Sequence, residues 1–202
     1  MKKIKFYIPF LVLFLMILSC DNHPNISSNG KLVEVTGIVK RVLNTELKES
    51  GGLYYFAGTP FTGVSFDMWN EKQIKRSWTF KNVKVDGTYK LYFENGNMRY
   101  EANIKDDKLE GIVKEYYENG KIMNEGNYIH GKMNGTFKSY FGNGQLDETY
   151  LATNGLREGT TKSYYANGQI KEETNYVHGR RNGPYKSFNE NGTIKNVGIN
   201  NN

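Results

Sequence analysis

The histidines of this 202-residue sequence are the first candidates for metal or acid–base chemistry. His130 and His178 occupy the same position of a 24-residue period, two periods apart. If each period forms one β-hairpin, the two rings lie roughly 19 Å apart, whereas the ligands of one metal ion must each lie within about 2 Å of it. We therefore predict no metal site and no cofactor, and interpret both histidines as polar loop residues.

Lysine and glutamate residues that are predicted to face each other could be mistaken for acid–base dyads. The pairs are Lys90–Glu101, Lys114–Glu125 and Lys162–Glu173. They recur with the period, whereas a catalytic site is a singular arrangement, and exposed pairs of this kind contribute well under ~1 kcal/mol each. The sequence also has no Gly-x-Ser-x-Gly, His-Glu-x-x-His or Walker-type motif. We predict no catalytic residue and do not expect an enzyme.

The single cysteine, Cys20, has a sequence context that is typical of lipid attachment. Lys2, Lys3 and Lys5 precede an uncharged stretch over 6–18, which has the length of a signal-peptide core and is too short for a membrane-spanning helix. The stretch ends in Ile-Leu-Ser-Cys, which resembles the lipobox of bacterial lipoproteins. The resemblance implies that residues 1–19 are a cleaved signal peptide and that Cys20 carries lipid. An uncleaved anchor followed by an incidental cysteine is the alternative.

The charge of the mature chain excludes one class of partner. Removing the three lysines of residues 1–19 from the 27 basic residues leaves 24, against 21 acidic residues. This small excess is not that of a nucleic-acid-binding protein, so we expect no nucleic-acid partner. Residues 20–31 are polar and read as a flexible, lipidated tether. We predict a location in the bacterial cell envelope, lipid-anchored at either the inner or the outer membrane.

Glycines recur every 24 residues from Gly63 to Gly183 and define six repeats. The predicted repeats are 63–86, 87–110, 111–134, 135–158, 159–182 and 183–202. Positions 9 and 10 of five repeats carry Asn-Gly, which between two apolar runs favours a two-residue turn with positive φ at both residues. The predicted turn residues are Asn95, Gly96, Asn119, Gly120, Asn143, Gly144, Asn167, Gly168, Asn191 and Gly192.

The turn also predicts the register and the faces of the sheet. With a two-residue turn, position 7 faces position 12, position 5 faces 14 and position 4 faces 15, which produces the lysine–glutamate pairs above. One face then carries the aromatic residues of position 7 and the apolar residues of positions 12 and 18, and the other carries the tyrosines of position 6 with the charged pairs. We predict an all-β fold, an elongated antiparallel meander of 24-residue β-hairpin repeats in a single layer that can curl.

The repeat motif can be compared with a known family. Gly-x-x-Lys-x-Tyr-Tyr-x-Asn-Gly-x-Ile, followed by Tyr-x-x-Gly-Lys-x-Asn-Gly, resembles the MORN repeat variant family of bacteria over residues 63–202. The first repeat departs from the pattern, with Asn70-Glu71-Lys72 in place of Asn-Gly, as expected of the end of a repeat array. Upstream, residues 32–47 are rich in β-branched residues, which favours a strand, although the spacing also admits an amphipathic helix. We predict a strand-rich N-terminal cap over residues 32–62.

Function is predicted only as a class. We expect a non-enzymatic envelope lipoprotein that acts as a protein-interaction or scaffold module, with another protein as its partner and a homodimer as a further way to cover the apolar face. One alternative, implied by a label given to some family members, is an antitoxin or immunity protein that docks a toxin on the sheet. Another is a glycan- or peptidoglycan-binding module. The candidate binding ridge, with internal stacking of its tyrosines as the competing interpretation, comprises Tyr92, Tyr116, Tyr140, Tyr164, Lys90, Lys114, Lys138 and Lys162.

Overall fold

The computed structural model describes residues 40–201 of the chain. The predicted signal peptide, the tether with Cys20 and the first part of the predicted cap lie outside the described residues. In the described part, no helix has the length and apolar character needed to cross a membrane. A single 3-10 turn, Asn44–Glu46, accompanies the strands β1 Arg41–Leu43, β2 Leu47–Ser50, β3 Leu53–Phe56, β4 Thr59–Pro60, β5 Gly63–Met68, β6 Ile74–Lys81, β7 Lys84–Tyr92, β8 Met98–Lys105, β9 Lys108–Leu109, β10 Gly111–Tyr116, β11 Ile122–Ile129, β12 Lys132–Met133, β13 Gly135–Tyr140, β14 Leu146–Thr153, β15 Leu156–Tyr164, β16 Ile170–Val177, β17 Arg180–Phe188 and β18 Ile194–Asn200.

Fifteen of these strands form one sheet in which strands consecutive along the chain lie side by side. From β5 to β18 all pairs are antiparallel, and β1 adds to the edge of β5 in parallel. Strands β9 and β12 are short segments that pair with β8 and β11 just before β10 and β13 begin. The predicted all-β meander of hairpin repeats is therefore confirmed.

The Asn-Gly turns differ from the prediction in their geometry. In the repeat around Asn119, Tyr117 N donates to Lys121 O at 2.8 Å and Gly120 N donates to Tyr117 O at 2.9 Å. Only the glycine has positive φ, at 82°. This pattern is a three-residue loop in which a type I turn is followed by a left-handed glycine. The predicted two-residue turn with positive φ at both residues is wrong for all five Asn-Gly pairs, because each asparagine keeps negative φ.

The asparagine side chain explains why this loop is preferred. The Oδ1 atom of Asn119 accepts from Lys121 N at 3.0 Å, and its Nδ2 atom donates to Gly142 O of the next repeat at 3.1 Å. Asn143 and Asn167 make equivalent bonds to the carbonyls 23 residues further on. Each asparagine therefore closes its own turn and also fastens that turn to its neighbour.

Two-residue turns with positive φ at both residues do occur, but at the other end of each hairpin. His130 and Gly131 have φ values of 50° and 81°, and His178 and Gly179 have 50° and 79°. These values are those of a type I′ turn, which matches the twist of the flanking strands. The two histidines interpreted as loop residues thus lie in type I′ turns.

The register of the charged pairs agrees with the prediction although the turn does not. Lys114 lies opposite Glu125, and the three-residue loop places Tyr116 opposite Ile122. A bulge between these two pairs adds one residue, Met123, to the second strand, and this residue cancels the offset introduced by the longer loop. One part of the face prediction is therefore wrong: the aliphatic residues of position 12 lie opposite the tyrosines of position 6 and share their face.

The apolar core is concentrated at the N-terminal end of the sheet. Val42, Phe61 and Phe80 are buried against one another and are joined by partly buried aromatic and aliphatic residues of the cap and the first repeat. Backbone bonds tie the cap to the β6–β7 turn, since Tyr54 N donates to Val83 O at 2.9 Å and Val83 N donates to Phe61 O at 2.9 Å. The described part of the cap therefore covers the sheet face that carries Phe80 at the first hairpin, and it does not extend over the same face of the later repeats.

Candidate binding groove

The face covered by the cap continues along the sheet as two parallel rows of side chains. The first row, formed by positions 3 and 16 of the repeats, is aromatic over much of its length. Its aromatic members are Trp78, Tyr89, Phe137, Tyr150 and Tyr185, which lie opposite one another or opposite small residues in the strand register. We call this row the aromatic floor.

The second row, formed by positions 5 and 14, is mostly polar and runs beside the floor. In strand order from β8 to β14 it reads Tyr100, Glu115, Asn124, Ser139 and Glu148, each directly opposite the next. Because directly opposed residues share a sheet face, these groups form one polar rim along the floor. We call this row the polar rim.

Phe137 is the best-packed ring of the floor in the central repeats. It is 7% exposed, stacks on Tyr150 with 5.5 Å between ring centroids, and meets Tyr128 edge-to-face at 5.5 Å. The Phe137 ring lies over Gly126 of β11, which is buried and, because it has no side chain, leaves the space that the ring occupies. A Cβ atom built on Gly126 would lie only 2.0 Å from Phe137 Cε1, so this glycine is required by close approach of the ring.

Arginine and glutamate form a neutral cluster at the C-terminal end of the groove. Arg157 donates two hydrogen bonds of 2.7 Å to Glu148, one to each carboxylate oxygen. The same guanidinium lies 3.9 Å from the centroid of the Tyr150 ring. A bidentate ion pair combined with aromatic stacking is a geometry that arginine adopts readily.

Glu115 on the polar rim has no such cationic partner. Asn124 Nδ2 donates to its Oε2 atom at 2.9 Å. Among the described residues, no lysine, arginine or histidine nitrogen lies within 4.0 Å of its carboxylate. Burial, together with the negative charge of Glu115, raises the pKa of the Tyr100 and Tyr128 hydroxyls. The carboxylate therefore carries uncompensated charge beside two tyrosines.

These groups line a groove of about 550 Å³ between β8 and β15. Its walls include Tyr100, Tyr128, Phe137, Tyr150 and Arg157, with Glu115 and Glu148 on the rim. Aromatic walls with a few placed polar groups are the usual composition of a binding site. The groove is suited to binding, and it contains no group of nucleophile, base and oxyanion donors that would make up a catalytic site.

The predicted tyrosine ridge lies on the opposite face and is engaged internally. Tyr116 OH donates to Glu101 Oε1 and Tyr140 OH donates to Glu125 Oε1, both at 2.7 Å. Burial and these glutamates raise the pKa of each hydroxyl to about 12. Each bond joins one repeat to the preceding one, so the column acts as a strap between repeats.

Three lysines of the ridge lie opposite the glutamates that the register predicts, and one of these three pairs forms an ion pair. Lys162 Nζ lies 2.9 Å from Glu173 Oε1, whereas the glutamates opposite Lys90 and Lys114 accept from tyrosines. Lys138 is exposed, and Tyr92 is partly buried, which raises the pKa of its hydroxyl. The geometry therefore favours the groove over the ridge as the binding surface.

The two histidines are far apart in the turns. Each histidine pairs with the glutamate directly before the glycine that opens its repeat. His178 Nδ1 lies 2.7 Å from Glu158, and His130 Nδ1 lies 3.5 Å from Glu110. Within residues 40–201, no three histidine, cysteine or acidic side chains converge as a metal site would require.

Sequence reasoning missed the groove because it located the functional surface on the tyrosine column. The missed residues are Glu115, Tyr100, Tyr128, Phe137 and Arg157. A usable signal was present, since position 5 carries serine in the three repeats after Glu115 and position 23 changes from Met133 to Arg157. Residues that depart from the repeat pattern are therefore candidates for a binding role in addition to a structural one.

Comparison with known proteins identifies the repeats. The MORN repeat variant matches five segments, residues 85–106, 109–130, 133–152, 157–178 and 181–198, which together make up just over half of the chain. The segments begin 24 residues apart, in agreement with the predicted period, and the first predicted repeat lies almost entirely outside them. This repeat fold is not that of a known enzyme family. No curated protein matches the chain.

Proposed function

Because the chain belongs to the MORN repeat variant family, we propose that it is a non-enzymatic binding module that docks a partner protein in the aromatic groove. A lipid on Cys20 holds the module at a membrane of the cell envelope, and residues 21–31 form the tether. The repeats provide the scaffold, and the groove provides the contact.

The observation that carries the proposal is the uncovered aromatic floor. The cap buries the floor only at the first hairpin, where Trp78 and Phe80 contact the cap cluster. Beyond that point Phe137 is buried by its neighbours, whereas Tyr150 of the floor, Tyr100 of the rim and the adjoining Tyr128 remain only partly buried around the groove. Aromatic side chains at a concave surface are the groups that contribute most to protein–protein binding.

The test is capture of a partner by the full chain, extracted from its own membranes in detergent, with groove-filling variants. Ser139→Trp places an indole on the polar rim inside the groove. Ser163→Trp makes the same change at the equivalent position of the next repeat, outside the groove lining, and is the matched control. The Tyr116/Tyr140/Tyr164→Ala triple variant tests the opposite face.

We expect one dominant protein that is captured by the unaltered chain, the Ser163 variant and the triple variant, and lost with Ser139→Trp. The purified partner should then bind the purified chain directly with the same variant pattern. Loss in the triple variant alone would move the site to the tyrosine ridge, and a chain that captures no protein would overturn the proposal. Cys20→Ser should shift the protein from the membrane fraction to the soluble fraction.

A further inference from the structure

We infer that the groove contains a site for one cationic side chain, lysine or arginine, on an extended segment of the partner, with Glu115 as the counter-ion and Tyr100 and Tyr128 beside it. This inference rests on the proposed function, since it specifies what the partner presents to the groove. We call this set, together with Asn124, the Glu115 site.

The chain itself contains a template for such a site. At the C-terminal end of the groove, the Arg157 guanidinium lies between Glu148 of the polar rim and Tyr150 of the aromatic floor. In the next repeat Arg181 also lies near the rim carboxylate, at 3.0 Å from Glu172, but the floor position holds Thr174, and the arginine donates to the Tyr176 hydroxyl at 3.2 Å instead. In these two repeats the rim carboxylate is neutralised from within.

The central repeat lacks this arginine, as do the two repeats before it, where Val85 and Leu109 occupy the same position. Its residue at the arginine position is Met133, while the rim still carries a carboxylate, Glu115, one strand away. Asn124 donates to Oε2, and Oε1 accepts no hydrogen bond from the described residues. A cationic side chain supplied from outside can therefore form a charge-assisted hydrogen bond with the Oε1 atom.

The neighbouring groups suit a lysine or arginine side chain. Tyr100 lies directly opposite Glu115 on β8, and Tyr128 lines the same groove. Tyrosine rings attract cations through their faces, and the attraction adds to that of the carboxylate. The groove of about 550 Å³ is much larger than one guanidinium, so the cation belongs to a longer ligand whose apolar groups contact the floor.

The test uses two peptides that differ in one charge. The probes are Ac-Gly-Ala-Arg-Ala-Gly-NH₂ and the same peptide with citrulline, which keeps the shape of arginine and removes its charge. Binding to the full chain in detergent is followed by the amide chemical shifts of residues around the groove. The variants are Glu115→Gln and, as a matched control, Glu118→Gln, an exposed turn residue three positions away.

We expect the arginine peptide to bind the unaltered chain and Glu118→Gln alike, with the largest shifts around Glu115. Glu115→Gln should weaken this binding roughly fivefold or more, to the level of the citrulline peptide. Equal binding of the arginine and citrulline peptides to the unaltered chain would overturn the inference, as would an equal loss in both variants. These outcomes leave the docking of a partner intact if Ser139→Trp still abolishes capture, so the two proposals fail separately.

Discussion

The packing of Phe137 over Gly126 predicts that replacing this glycine with alanine lowers the stability of the fold. Glycine to alanine within a strand normally stabilises a protein by about 0.4–1 kcal/mol, because it restricts the unfolded chain. At Gly126 the added methyl group would lie 2.0, 2.1 and 2.7 Å from three atoms of the Phe137 ring. Ordinary carbon contacts begin near 3.4 Å, so the ring must move by more than 1 Å or rotate away.

The cost can be estimated from what the ring would lose. Overpacking of a filled site costs about 1–3 kcal/mol, and the stacked contact with Tyr150 and the edge contact with Tyr128 are each worth roughly 0.5–1.5 kcal/mol. After the favourable effect on the unfolded chain is subtracted, we expect Gly126→Ala to lower the free energy of unfolding by about 2 kcal/mol. For a folded body of this size the melting temperature should fall by roughly 4–8 °C.

The assay is thermal and urea unfolding of the full chain, followed by near-ultraviolet circular dichroism of the aromatic residues. Gly142→Ala is the control, since Gly142 is exposed and an added Cβ would meet no atom within 4 Å. We expect this control to stay within about 0.5 kcal/mol of the unaltered chain. In a Phe137→Ala background, Gly126→Ala should be neutral or stabilising. A Gly126→Ala variant as stable as the control, or one whose loss persists without the Phe137 ring, would refute the reasoning.

Three further outcomes are expected. The pKa of Tyr116 and Tyr140 is about 12 in the folded chain and 10.0 in the unfolded one, so their titration leaves stability independent of pH below pH 10 and lowers it as the pH rises from 10 to 12. A pH series of unfolding midpoints measures this fall. Replacing both tyrosines with Phe should flatten it. Reversing the charges of Lys162 and Glu173 together should cost less stability than either single reversal, and additive losses in the double-mutant cycle would contradict a favourable ion pair between them. Asn119→Ala, which removes both the turn closure and the bond to the next repeat, should destabilise by about 1–2 kcal/mol in urea unfolding, and a change below 0.5 kcal/mol would exclude the inter-repeat role.

The period of the repeat made most of the fold predictable. Glycine every 24 residues and Asn-Gly at a fixed offset locate every hairpin, and opposite charges at positions 4 and 15 select the register. The turn type was not predictable from the dipeptide, because Asn119 can satisfy its backbone in two ways. It uses its side chain to bond Gly142 of the next repeat, and that partner is visible only when the repeats are stacked.

The register was predicted correctly for a reason that the sequence conceals. The loop is one residue longer than a type I′ turn, and the bulge at Met123 restores the offset, so Lys114 still meets Glu125. Only the residues between loop and bulge are displaced. This explains why the position-12 residues were assigned to the wrong face while the charged pairs were assigned correctly.

The groove could not be predicted from the repeat, because it arises where the repeat is broken. A perfectly periodic sheet would offer the same surface in every repeat, and each rim glutamate would meet its own arginine as Glu148 meets Arg157. In the repeat of residues 111–134 the arginine position holds Met133, the rim carboxylate moves to Glu115, and Gly126 makes room for a phenylalanine from the next strand. Together they place Glu115, a carboxylate without a cationic partner among the described residues, in the same groove as a packed aromatic ring. We expect Met133→Arg to place a second guanidinium in the groove and to block the arginine peptide, and the same chemical-shift titration measures this; unchanged peptide binding in the variant would argue against the Glu115 site.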